Sequence, residues 1–442
     1  MDPCVGAACG AEPEHHTVIV VGGGPAGLPM AVVLAGGWWP YYRRSAAFER
    51  LHPRLAGGLH GEERSLLALD FAALARSIRP VDLFNALHHP TERFAGLESL
   101  AMEFRRGQPL DCLLLSREPV GGLWNNVPRN LLTLSPGHWM ELAFYPLAQW
   151  ARETGRSLDP DALIVKKDLL EYYHSVPGRF GIGAAIRTDT DVTRIEPHPE
   201  GFLLSAATDA GEQRRYACRY LVYAAGQRCS LRRLGVPGED LPFVTRYYDR
   251  PESFPGDRVL VVGGGRSADW AATELHDAGR EVTYVMRQPR ENHWRLISDS
   301  RAGLPYYARI AEIIESGSPR LRTLYRTRVQ EIAADGTVTL ACGERRDLVR
   351  VDRVLLEIGG EADYGLFQGF PPLSLVEKRD RYRYQCLQVV THPHNYESLD
   401  IPRMYPGGYL AAGINNVVVA MHGATYAIAA DILQREGIVE RG

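Results

Sequence analysis

Twice along this chain a β-branched run meets a cluster of glycines and continues directly into an apolar, helix-like segment. The first run is Thr17-Val18-Ile19-Val20-Val21, followed by Gly22, Gly24 and Gly27 and then Leu28 to Leu34. The second is Arg258-Val259-Leu260-Val261-Val262, followed by Gly263, Gly265 and Ala268 and then a helix over Asp269 to Ala278. Strand, tight turn and helix in that order form a unit whose backbone can approach a ligand closely. The spacing is the dinucleotide fingerprint. Its first glycine makes the turn, its second admits a pyrophosphate, and its third position lets helix pack on strand, with the positive end of the helix behind. Gly22, Gly24, Pro25, Ala26 and Gly27 are thus candidate contacts of one dinucleotide, and Gly263, Gly265, Arg266, Ser267 and Ala268 of another. Two such units in 442 residues predict an α/β fold with two Rossmann-like, three-layer ββα domains. They imply two different dinucleotides, because a hydride must pass from one to an acceptor held by the other; FAD and NADPH are the economical pair.

The residue ending the next strand reads the ribose. After the second turn that strand is Val282 to Val285, ending at Met286-Arg287. No acid stands between Val282 and Arg290, so Arg287, assisted by Arg290, suits the 2′-phosphate of NADPH better than the ribose of NAD. After the first turn the pattern departs. Glu49 has the usual spacing of about 20 residues, yet no strand leads to it. The strand due at Trp38-Trp39-Pro40-Tyr41-Tyr42 is absent from the pattern, and these aromatics read as core or lid residues. A helical insertion over about 36–110, including a helix from Glu62 to Ile78, takes its place. The postponed strand is Leu113-Leu114-Leu115, which puts the ribose contact at Ser116, Arg117 or Glu118. Further expected elements are a helix at Asp161 to His174, a meander including Phe202-Leu203-Leu204 and Tyr220 to Tyr223, a strand at Val354 to Gly359 and a helix at Ala424 to Leu433. The domains follow: a leader at 1–16, a FAD-binding domain at 17–240 and 345–442, and an NADPH-binding domain inserted at 241–344.

Composition excludes several classes. Lys+Arg 50 against Asp+Glu 53 leaves a net charge of −3, which gives no general attraction to nucleic acid. The seven cysteines are scattered without a C-x-x-C pair, which removes the redox partner of a disulfide reductase and fits a reducing cytoplasm. The N-terminus lacks the basic-then-apolar order of a signal peptide, and no apolar run is long enough to span a bilayer, so no membrane partner is expected. His52, His60, His88, His89, His138 and His174 show no metal-ligand spacing, and no metal is assigned. Lys166 and Lys167 read as a solvated helix face. Asn125 and Asn126 are the candidate catalytic amides, placed to hydrogen-bond the reacting part of a flavin or nicotinamide.

The runs Leu51-His52-Pro53, Pro119-Val120-Gly121-Gly122-Leu123-Trp124 and Thr133-Leu134-Ser135-Pro136-Gly137-His138-Trp139-Met140 resemble the oxidative-stress-induced growth inhibitor family, within the flavin monooxygenases that bind FAD first and NADPH second. The resemblance covers the chain from about Thr17 to the last helix. It implies that Gly121, Gly122, Leu123 and Trp124 lie near the flavin. It also implies that Ala224-Ala225-Gly226 and Ile358-Gly359-Gly360 join the domains, and that Gly408 to Asn416, with Gly413 and Asn415, passes the flavin. Related flavoproteins often carry Asp where Ile414 or Asn415 stands. The implied reaction is NADPH- and O2-dependent oxygen transfer from a C4a-hydroperoxyflavin to a small amine or sulfide, N-hydroxylation of an amine foremost. S-oxygenation, a flavin oxidase or dehydrogenase, and a non-catalytic regulatory flavoprotein stand as alternatives. Baeyer–Villiger chemistry is demoted, because Phe243 to Asp249 lacks the Gly and His of that fingerprint. Oligomeric state stays open, a homodimer among the options.

Overall fold

The computed structural model describes residues 12–61, 63–379, 385–414 and 424–442. Its first sheet has the order Ile186–Arg187, Cys112–Leu115, Glu14–Val21, Gln213–Tyr223, Gly201–Thr208 and Thr190–His198. The first four strands run parallel, and Gly201–Thr208 is antiparallel to both of its neighbours. Met404–Pro406 pairs in parallel with the far end of Gln213–Tyr223. The second sheet is wholly parallel: Val244–Thr245, Arg353–Glu357, Arg258–Gly263, Glu281–Val285 and Leu321–Leu324. Each glycine turn leaves a central strand of its own sheet, as the two repeats require.

The second sheet extends past the expected boundary at 344. The hairpin Thr337–Cys342 with Arg345–Arg350 straddles that point, and Arg353–Glu357 inserts between Val244–Thr245 and Arg258–Gly263. Local sequence does not report a pairing across about ninety residues.

The helix Gly27–Leu34 is buried along its whole length, which explains why its sequence is apolar on every side. Pro29 is its third residue, a position whose N–H would have no intrahelical partner, so the donor that proline lacks is not missed. The insertion differs from expectation in two respects. Trp38–Tyr42 is a strand after all, but it pairs antiparallel with Met102–Arg106 as a separate ribbon, leaving Cys112–Leu115 beside the first strand. The long helix over 62–78 does not form. Ser65 accepts from Leu67 N–H and starts one 3-10 turn at Leu66–Ala68, and Asp70 accepts from Ala72 and Ala73 N–H to start a short helix, Phe71–Leu74. Side chains that bind the backbone this readily restart a helix rather than continue one. Likewise Leu163–Val165 is a strand paired with Leu132–Pro136, and the helix begins only at Lys166, running to Arg179.

The insertion shares one apolar core with Gly27–Leu34 and the last helix, Ala424–Arg435; Phe84 and Tyr426 rings lie 4.6 Å apart. In that core His88 Nε2 lies 3.0 Å from Glu141 Oε1, and Glu141 Oε2 accepts from Leu147 N–H at 2.8 Å. Burial pushes the Glu141 carboxyl up to about 8 and the His88 imidazole down to about 3. Burial thus works against the charged form of both partners of this hydrogen-bonded pair.

Among the described residues no helix is long and apolar enough to cross a membrane, and no cluster of three or more ligating side chains is placed to hold a metal.

Candidate functional site

At the first turn, space dictates glycine. Gly22 has φ +111°, and a Cβ there would lie 2.4 Å from Ala224 O; a Cβ on Gly27 would lie 1.9 Å from Gly22 O. The helix that follows has no side-chain cap; its Gly27 and Leu28 N–H groups both donate to Gly24 O, at 3.1 and 2.9 Å, so the turn of Gly24, Pro25 and Ala26 is closed onto the positive end of the helix, which favours an anion in front of it. Gly121 N–H donates to Gly23 O at 2.8 Å, and a Cβ on Gly122 would come within 2.7 Å of Gly24 Cα. The Gly121-Gly122 pair is thus stacked on the turn. Leu123 beside it is 48% exposed, and Trp124 packs partly against the first core.

The loop is stapled from within. Asn125 Nδ2 donates to Pro119 O at 2.8 Å and to Gly122 O at 3.0 Å, and Asn126 Nδ2 donates to Glu118 Oε1 at 2.6 Å. The Lys166 ammonium donates to the Asn125 and Val127 carbonyls, and its half-burial lowers its pKa. Lys166 is therefore not on the solvated face assigned to it; Lys167 is. The candidate catalytic amides both face their own loop.

Ser116, Arg117 and Glu118 separate in space. Ser116 is buried, and its Oγ lies 2.8 Å from where a Gly23 Cβ would stand. Arg117 reaches out to Cys229 O at 3.3 Å, while Glu118 is engaged by Asn126. Of the three, only the Ser116 hydroxyl abuts the turn. Glu49, set aside because no strand leads to it, pairs with Arg44 at 2.9 Å.

On the other side, Gly407 N–H donates to Tyr223 O at 2.7 Å, and Gly408 backs onto Ala26. Gly226 and Gly413 both have φ +82° with open space where a Cβ would be. Arg79 Nη1 donates to Gly413 O at 2.6 Å, and Gln388 Nε2 to Tyr409 O and Ile414 O at 2.9 and 3.1 Å. Asn415 lies outside the described residues.

The second turn repeats the first. A Cβ on Gly263 would lie 2.4 Å from Glu357 O and 2.9 Å from the Ala268 methyl. The helix Arg266–Asp277 starts after Gly265 without a side-chain cap, presenting the Arg266 and Ser267 amides. Arg266 lies over the Tyr307 ring at 5.4 Å. Arg287 is exposed beyond the end of Glu281–Val285. Glu357, which sequence reasoning missed, ends the neighbouring strand; burial raises its carboxyl to about 7 and the nearby Arg228 opposes that shift. No local pattern marks it, because its setting depends on the parallel pairing with Gly263.

The two connections between the sheets are themselves paired: Ser230–Leu231 runs antiparallel to Gly360–Glu361. Both glycine turns, in short, are cradles without side chains at uncapped helix starts, and they fit the pyrophosphates of two dinucleotides. A family profile described as pyridine nucleotide-disulphide oxidoreductase matches residues 95–392.

The chain belongs to that family.

It is a flavin-dependent oxidoreductase with FAD and NADPH as coenzymes. The resemblance to the growth inhibitors is borne out: the chain is 26% identical to human oxidative stress-induced growth inhibitor 1 over 418 residues, covering 86% of this chain and 84% of that protein. In fold it is similar to bacillithiol disulfide reductase from Staphylococcus aureus (TM-score 0.63, 18% identity, 96% and 99% of the two chains). It is likewise similar to ornithine N-hydroxylase from Kutzneria sp. 744 (TM-score 0.59, 16% identity, 96% and 100%). Both match the expected α/β architecture of two Rossmann-type domains.

A cavity of about 640 Å³ between His392–Glu397 and the end of the last helix shares no lining residue with either turn.

Proposed function

We propose that this oxidoreductase is an NADPH- and O2-dependent monooxygenase that transfers one oxygen atom to a small nucleophile, N-hydroxylation of an amine foremost. The observation that carries the reading is the pair of glycine turns without side-chain caps, each leaving a parallel-paired strand of its own sheet, joined by two short connections. Bound FAD would accept a hydride from NADPH and hand the electrons on to O2. The chain's own residues bind and orient. Gly22 to Gly27 and Gly263 to Ala268 hold the two pyrophosphates, the Ser116 hydroxyl stands at the first ribose, and Arg287 meets the 2′-phosphate. Asn125 and Lys166 act as positioning residues, keeping Gly121 to Trp124 pressed on the first turn. The Glu357 carboxyl, raised by burial to about 7, can take up or release a proton at the edge of the second turn near neutral pH. A nucleophilic amine needs no strong acid from the protein.

A reductase acting on a disulfide is the second reading, favoured by the family description and the bacillithiol disulfide reductase fold. Against it, Cys112 and Cys218 are buried in strands flanking Glu14–Val21, and burial drives both thiols far up in pKa. Turnover of an amine panel with NADPH under ¹⁸O2 separates the two. One labelled oxygen in the product supports oxygenation. NADPH consumption with disulfide reduction and no label overturns it, and failure of NADPH to bleach the flavin favours the regulatory alternative.

A further inference from the structure

Arg326 follows the strand Leu321–Leu324, which lies beside Glu281–Val285 in the second sheet. It therefore emerges on the same edge as Arg287. Its N–H donates to Gln288 O at 3.1 Å, and Thr327 N–H donates to Met286 O at 3.0 Å, so the residues on both sides of Arg287 are tied to the Arg326 loop. Gln288 Nε2 in turn donates to Gly264 O at 2.7 Å, inside the glycine turn. Turn, Arg287 and Arg326 share one hydrogen-bonded frame.

Arg326 is also strained, with φ +52° in the left-handed region, which disfavours any residue carrying a Cβ. Its neighbours enforce that conformation. Tyr325 OH lies 3.2 Å from His293 Nδ1, His293 Nε2 lies 2.7 Å from Asp269 Oδ1, and Tyr284 OH donates to the same oxygen at 2.7 Å. Thr327 Oγ1 donates to Tyr325 O at 2.8 Å. Asp269 and His293 are completely buried, and Asp269 sits in the first turn of the helix that leaves the second glycine turn. A buried polar chain thus runs from the nucleotide-binding helix to the residue before Arg326. Arg290, the helper expected from sequence, lies instead over the Trp294 ring of its own helix at 5.1 Å. Glycine or asparagine suits a left-handed position better than arginine; an exposed arginine held there by a buried network points to a task for its guanidinium.

We propose that Arg326 is the second half of a two-arginine clamp on the 2′-phosphate of NADPH. The proposal rests on the reading of Arg287 given above. Two guanidinium forks from adjacent strand ends can engage the three oxygens of one phosphate, a geometry a single arginine cannot complete.

The test uses the FAD-loaded protein and direct titration with 2′,5′-ADP and with 5′-AMP, alongside flavin reduction by NADPH and NADH. R326Q is expected to weaken 2′,5′-ADP by roughly 10-fold or more, the usual effect of losing a charge-assisted hydrogen bond, and to leave 5′-AMP within about twofold. R326G should show the same selective loss with an unchanged or higher melting temperature, because glycine relieves the strain. R326K should keep part of the preference. Unchanged 2′,5′-ADP binding in R326Q and R326G overturns the clamp, as does an equal loss for 5′-AMP. If R287Q loses the preference and R326Q does not, Arg287 stands and Arg326 fails. If the 2′-phosphate is selected but NADPH leaves the flavin oxidised, the clamp stands and the proposed function fails.

Discussion

Replacing Gly27 by alanine tests the first cradle with a single methyl group. The added Cβ would stand 1.9 Å from Gly22 O, whereas an unstrained contact needs about 3.4 Å or more. The carbonyl belongs to a glycine whose own φ of +111° is fixed against Ala224, so the turn cannot yield easily. The helix start must retreat by about 1.5 Å, one residue's rise, and that helix is buried on every side. Overpacking of this kind costs roughly 1–3 kcal/mol. Because that helix start stands directly behind the turn proposed to hold the pyrophosphate, the FAD dissociation constant should rise by roughly 10- to 100-fold. The assay is flavin content after gel filtration, then FAD titration of the apoprotein with thermal melts of both forms. G27A that keeps FAD within twofold of the parent at an unchanged melting temperature would refute the reasoning. The second turn supplies the control. Ala268 already carries a methyl there, and A268G should cost only about 1 kcal/mol of helix propensity without comparable loss of NADPH.

Three further outcomes follow from other parts of the structure. Glu141, raised by burial to about 8, stabilises the fold below the unfolded carboxylate pKa and loses that contribution as pH rises through 8. His88, lowered to about 3, contributes above its unfolded pKa near 6.5 and loses it as pH falls. Melting temperature should thus be flat between about pH 4.5 and 6.5 and fall on both sides. E141Q keeps both hydrogen bonds and should remove most of the alkaline decline; an identical alkaline slope in melts from pH 6 to 9 would rule this out. Lys166→Met should unpin Asn125 and Val127 and loosen the Gly121–Trp124 loop, weakening FAD by roughly 5- to 10-fold with little change in NADPH affinity, read by paired titrations. H293L should lower stability by roughly 1–3 kcal/mol, because it takes one of two partners, His293 and the Tyr284 hydroxyl, from the buried Asp269 carboxyl, and should weaken NADP+ more than FAD; equal effects on both would contradict the buried chain to Tyr325.

The glycine turns were legible because everything they need is local: β-branched residues before, an apolar helix after, and missing Cβ atoms at fixed spacing. The delayed strand Cys112–Leu115 was legible for the same reason. What sequence hid depends on partners far along the chain. Trp38–Tyr42 is a strand only because Met102–Arg106 pairs with it, and Arg353–Glu357 joins the second sheet through Arg258–Gly263. Asn125 and Asn126 sit beside the distinctive Gly-Gly-Leu-Trp run and read as chemistry; in three dimensions their amide hydrogens meet the carbonyls and carboxylate of their own loop. Lys166 looked solvated because its acceptors lie about forty residues upstream.

The segments leading into and out of the half built on the second sheet are zipped to each other through Ser230–Leu231 and Gly360–Glu361. Two independent cords would let that half wander in any direction. A zipped strap bends about one axis, with Gly226 and Gly359, both left-handed and sterically open, as swivels at its ends. Delivery of the reductant and withdrawal of the spent coenzyme would then follow a single arc, and stiffening either swivel with a bulkier residue would slow both strokes together.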